Sequence, residues 1–129
     1  MHRTDTIPGT PARHDNPEWR PLVELLGPDL AGWFMWMYEI DLVDASRVHA
    51  YKHVATRRYI HLAEDGRAFL YCADARYREI PRHHAIAQAF SGWERLCQEP
   101  GEAQPVRVAL RRALRAARTV PRAPVRDAG

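Results

Sequence analysis

Hydrophobic and polar positions alternate most regularly between residues 47 and 63. The run RVHAYKHV at 47–54 puts His49, Tyr51 and His53 on one side of an extended chain. The run ATRRYIHLA at 55–63 does the same for Arg57, Tyr59 and His61. Successive side chains point to opposite faces of a strand, so this period predicts two β-strands. Upstream, Trp19, Leu22, Val23 and Leu26 recur at helical spacing. Asn16-Pro17-Glu18 suits the start of that helix: Asn caps, Pro fits the first turn and Glu meets the positive end of the dipole. Gly27-Pro28 stops it. The aromatic and methionine-rich run WFMWMYEIDLV at 33–43 reads as a strand buried on both sides.

Turn chemistry joins the strands into a meander. A type I turn with a bulge at Val43-Asp44-Ala45 sets Leu42 opposite Ser46, Ile40 opposite Val48 and Glu39 opposite His49. A two-residue turn would slip this pairing by one and reverse the faces of the first strand. A short loop at 54–56 pairs His53 with Arg57, Tyr51 with Tyr59 and His49 with His61. Glu64-Asp65-Gly66, with Gly at the left-handed position, pairs Ala63 with Arg67, His61 with Phe69 and Tyr59 with Tyr71. A fifth short strand at 77–80 follows a turn at 74–76. Pro81 opens a helix with the apolar stripe Ile86, Ala89, Phe90, Trp93 and Cys97, and Glu99-Pro100-Gly101 closes the domain. From Gln104 the sequence VRVALRRALRAAR forms an amphipathic helix, with Val106, Leu110, Ala113, Leu114 and Ala117 on one side.

The fold expected is α+β: an antiparallel four- to five-stranded β-meander with an N-terminal helix and a following helix packed on one face. Residues 1–15 read as a disordered arm and 16–99 as a single α+β domain. Residues 100–129 read as an Arg/Ala-rich helix and a disordered tail.

Composition narrows the classes. At 129 residues one domain with a modest core is expected. No apolar run approaches the roughly 20 residues of a membrane span, and the start lacks an apolar leader region. No membrane and a cytoplasmic location are therefore expected. Cys72 and Cys97 lack C-x-x-C spacing and read as buried free thiols. Lys52 is the only lysine among 19 basic residues. An arginine bias beside many Ala and Pro residues is what a GC-rich coding sequence produces, so basic charge by itself argues weakly for nucleic acid.

On these registers Ile40, Val48, Leu62 and Ala68, with Tyr38, Ala50, Ile60 and Leu70, form a core face. The opposite face carries Glu39, His49, His61 and Phe69 in one row. Met37, Tyr51, Tyr59 and Tyr71 form the next, followed by Met35, His53 and Arg57. The plain reading is that a helix covers this second face and the polar tips reach water at its rim. The leading functional reading is a small non-enzymatic binding or regulatory protein that takes single-stranded nucleic acid. Tyr51, Tyr59 and Tyr71 would stack bases, with His49, His53, His61 and Arg57 beside them. Arg111, Arg112 and Arg115 of the basic C-terminal segment would meet phosphates. The alternative is a protein-interaction module, a homodimer or an adaptor, using the same face. A third, weaker reading is a metal-dependent enzyme built on Glu39, His49 and His61. No catalytic residue, metal or cofactor is assigned, because nucleotide-binding Gly-rich loops, the nucleophile elbow and H-E-x-x-H are all absent from the sequence.

Overall fold

Three prolines, Pro17, Pro21 and Pro28, set up the N-terminal helices, since each sits in a first turn where its missing N–H costs nothing. A 3₁₀ turn at Pro17–Trp19 runs into α1, Arg20–Leu26. The Asn16 side chain makes no capping bond; its carbonyl instead accepts the Trp19 N–H at 2.9 Å. Gly27, at φ 87°, ends α1 and leads into the short α2, Pro28–Ala31. The computed structural model describes residues 16–43, 46–97 and 100–119. The expected arm at 1–15, the turn residues Asp44 and Ala45, and the tail beyond 119 lie outside the described residues.

Five strands follow: β1 (Phe34–Ile40), β2 (Val48–His53), β3 (Tyr59–Ala63), β4 (Ala68–Tyr71) and β5 (Tyr77–Ile80). They form one antiparallel sheet in the order β1-β2-β3-β4-β5, the expected meander. Ile40↔Val48, Glu39↔His49 and Tyr38↔Ala50 pair as expected. A bulge at Met37 then shifts the register, giving Trp36↔Tyr51 and Phe34↔His53 in place of the Met37 and Met35 pairings. The extra residue turns Phe34, 4% exposed, into the core.

The second hairpin departs further. Its loop closes one residue later than expected, with the His53 N–H donating to the Arg58 carbonyl at 2.8 Å and the Arg57 N–H to the His53 carbonyl at 2.9 Å. Arg57 takes φ 67° to complete the turn. Tyr51 therefore pairs with Ile60 and His49 with Leu62, not with Tyr59 and His61. A one-residue slip exchanges the faces of a strand. The third hairpin holds its expected register, His61↔Phe69, around Gly66 at φ 97°.

The buried face consequently carries Tyr51, Ile60, Leu62 and Ala68, packed with Trp19, Leu22, Ile86 and Phe90 of the helical layer. The segment expected as one helix after Pro81 is broken by Gly92, at φ 85°, into α3 (Arg82–Ala89) and α4 (Trp93–Leu96). That break keeps both Phe90 and Trp93 buried. The C-terminal helix α5, Pro100–Thr119, starts earlier than expected and packs against α1, α2 and α3. Ala103 and Ala113 are buried there, and Val106, Leu110 and Leu114 lie against the same core.

Candidate functional site

Three side chains expected on the binding face belong to the covered one. Tyr51 is fully buried, stacks at a tilt on Trp19 with centroids 5.6 Å apart, and donates its hydroxyl to the Glu18 carbonyl at 2.6 Å. Burial pushes its phenol well above the usual range. His49 is likewise buried and links three parts of the sheet. The Trp36 indole donates to its Nδ1 at 3.1 Å, so the ring proton sits on Nε2 and reaches Glu64 Oε2 at 2.9 Å. His53 accepts the Ala55 and Thr56 N–H groups on Nδ1, each at 3.1 Å, and is ringed by Trp33, Phe34 and Phe90. These are structural roles. Glu39 stays beside His49, but His61 lies on the other face, so the three do not converge on one ion. Among the described residues no group of three or more His, Cys, Asp or Glu could hold a metal. Cys72 and Cys97 are free thiols, half-buried rather than buried.

The other two tyrosines remain on the open face, and two more join them. Tyr38 of β1 and Tyr77 of β5 belong to the opposite outer strands of the sheet. Their hydroxyls nevertheless meet at 3.2 Å, so the sheet curls and this face is concave. His61, on the central strand, lies beneath them and is 5% exposed. Its Nε2 is 3.4 Å from the Tyr38 hydroxyl. Tyr59 stacks on its ring at 5.7 Å and 13°, and Tyr77 meets it edge-on at 5.1 Å. Tyr71 lies 6.5 Å from His61 and 4.8 Å from Tyr77. Small residues make room for this cluster, since Val48, Ala50 and Ala63 form its fully buried floor.

A groove of about 840 Å³ opens beside the cluster. Tyr38, Tyr59, His61 and Tyr71 line the sheet side, and Leu70, His84 and Gln88 line the side toward α3. Arg57 and Arg58 stand at its exposed rim. The loop that carries them is fixed: Thr56 Oγ1 donates to the Ala89 carbonyl at 2.7 Å, and Arg58 Nε donates to the Ser91 carbonyl at 3.2 Å. No carboxylate is among the described lining residues. Lys52 adds positive charge, with its ammonium 5.7 Å from the Tyr59 ring centre. Burial holds His61 neutral at ordinary pH by lowering its pKa to about 4, and burial with the Tyr38 hydroxyl raises the Tyr77 phenol.

Such a groove suits a flat, apolar-faced group carrying negative charge. An aromatic cage for cations is disfavoured by two arginines and a lysine at its edge. Of the expected set, Tyr59, Tyr71, His61 and Arg57 come together here, while Arg111, Arg112 and Arg115 are exposed on α5 and do not line the groove. Tyr38 and Tyr77 were missed as partners. The correct second-hairpin register would have found Tyr38, because it places Tyr38, Ala50 and His61 side by side. Among the described residues no helix is long and apolar enough to cross a membrane. Comparison of the chain with protein-family models, with curated proteins and with solved structures returns no match.

Proposed function

We propose that the chain is a small binding protein that takes single-stranded nucleic acid in the tyrosine-lined groove. The observation that supports this best is the company His61 keeps. Tyr59 and Tyr71, 38% and 52% exposed, stand beside a neutral ring in a groove rimmed by Arg57 and Arg58. Exposed aromatic faces stack on unpaired bases without demanding a sequence, and each such contact is worth roughly 1–3 kcal/mol. The arginines supply the phosphate contacts that a base platform alone lacks. Duplexes bind poorly in this scheme, because their bases offer no free ring face.

The test is binding of labelled single- and double-stranded oligonucleotides at two salt concentrations. Wild type should prefer single strands and lose affinity as salt rises. Tyr71→Ala, at an exposed position, should weaken binding about tenfold or more while the protein stays folded. A second reading, self-association through the same face, has its own support in the exposed Met37, Tyr38, Leu70 and Tyr71. Sedimentation of the same samples separates the two. A dimer that Tyr71→Ala dissociates, without oligonucleotide binding by any form, would replace the nucleic-acid reading with the interface.

A further inference from the structure

His61 offers more than a surface for stacking. Its Nε2 meets the Tyr38 hydroxyl, which in turn meets the Tyr77 hydroxyl, but its Nδ1 makes no hydrogen bond within the described protein. Nor is that nitrogen sealed in. Among the described residues the one buried side-chain nitrogen or oxygen without a partner is Nε2 of His53, at a different site. His61, only 5% exposed, thus lines an aromatic groove and carries an Nδ1 that no described protein group satisfies. A nitrogen placed this way bonds to water in the empty groove and is open to a ligand's polar atom, and a ligand that covers it without replacing that bond leaves it unsatisfied.

We propose that His61 reads the base: Nδ1 hydrogen-bonds to the edge of an unpaired nucleobase whose faces lie against the groove tyrosines. This rests on the reading of the groove as a site for unpaired bases. The bond's direction follows from the tyrosine chain. When Tyr38 donates to Nε2, the ring proton sits on Nδ1 and is donated to a carbonyl on the base. When Tyr38 donates to Tyr77, Nε2–H donates to Tyr38 and Nδ1 accepts from an exocyclic amine or ring N–H. Leaving Nδ1 unmatched has a cost, so bases that match it bind better than those that do not.

The experiment measures dissociation constants for the four nucleoside 5′-monophosphates, for ribose 5-phosphate and for short single-stranded homo-oligonucleotides. Wild type should rank the bases over roughly a tenfold range, the worth of one hydrogen bond. Ribose 5-phosphate should bind more weakly than any of them. His61→Phe keeps a flat ring and removes the nitrogen, so it should bring the four bases within about twofold of one another. His61→Gln, which keeps polar atoms, should retain a ranking. A ranking confined to monophosphates assigns the site to free nucleotides; one shared by the oligonucleotides assigns it to strands. Because His61 is buried, wild-type nitrogen NMR gives a readout independent of any variant. The His61 Nδ1 signal should shift when the best-ranked monophosphate is added. An unchanged ranking in folded His61→Phe, or an unmoved Nδ1 signal while tyrosine signals shift, would overturn the role of His61 and leave the groove reading in place. No binding of any nucleotide or oligonucleotide would overturn both.

Discussion

His53 shows how one side chain decides a local structure. Its Nδ1 takes two backbone N–H groups from the following loop, as a capping Asp or Asn does at a helix start. Only the neutral ring can accept there, and burial lowers its pKa from 6.5 to about 4. His61 is lowered to the same value by the same cause. The unfolded chain then binds protons more readily than the folded one between these limits. Stability is therefore full above pH 6.5 and falls as the pH drops toward 4. Between pH 7.5 and 5 each ring should remove roughly 2 kcal/mol, from about 1.4 kcal/mol per pKa unit. Urea unfolding at the two pH values measures the loss, and His53→Asn, which keeps an acceptor but does not titrate, should remove about half of it. Equal stability at both values would show that neither ring is held neutral. At this scale the sequence was partly blind. Tyr51 and Tyr59 stand in similar alternating runs, yet one is core and the other rim. Nothing in the residue type separates them; a single loop residue does.

That residue belongs to the hairpin between β2 and β3. The hairpin around Gly66 was legible because a glycine at a left-handed position is a local signal that fixes register by itself. The 54–57 loop was not, because what closes it is remote. Thr56 is held by the Ala89 carbonyl, and Arg57 instead of glycine occupies the left-handed position. The bulge at Met37 was hidden for a similar reason, since it answers to which aromatics the helices cover and not to any turn residue. By contrast, α1, the fifth strand and the body of α5 followed from periodicity and punctuation, although α5 begins at Pro100, inside the stretch expected to close the domain. The left-handed Arg57 yields a prediction at this scale. A non-glycine residue with positive φ carries strain of order 1 kcal/mol or more. Arg57→Gly should relieve it, raising stability by up to about 1 kcal/mol in chemical denaturation. It also removes a rim charge, so oligonucleotide affinity should fall and its salt dependence should flatten by about 0.7 in log–log slope. A stabilised variant with unchanged salt dependence would mean that Arg57 serves the turn alone.

Two arginines, Arg57 and Arg58, stand at the groove rim, and five more, Arg107, Arg111, Arg112, Arg115 and Arg118, lie along α5. The helix is not a detachable tail, since Ala103 and Ala113 are buried against the body and Arg107 pairs with Glu94 at 2.9 Å. Cutting it away would strip the core along with the charge, so charge must be removed by substitution instead. Arg111 and Arg112 are exposed and lie outside the groove. If the groove is the binding site, a dinucleotide fits within it and has no use for them. A longer strand leaves the groove and passes over basic surface, gaining phosphate contacts that carry no sequence information. Replacing Arg111 and Arg112 together by Gln should thus leave dinucleotide affinity unchanged within about twofold. For a strand of about twenty nucleotides the same change should weaken binding and lower the salt slope by roughly 1.4, two phosphate contacts at about 0.7 each. Fluorescence anisotropy over a salt series with both lengths supplies the comparison. Equal losses for the two lengths would place α5 inside the primary site. An unaffected long strand would leave its arginines as a solvated face.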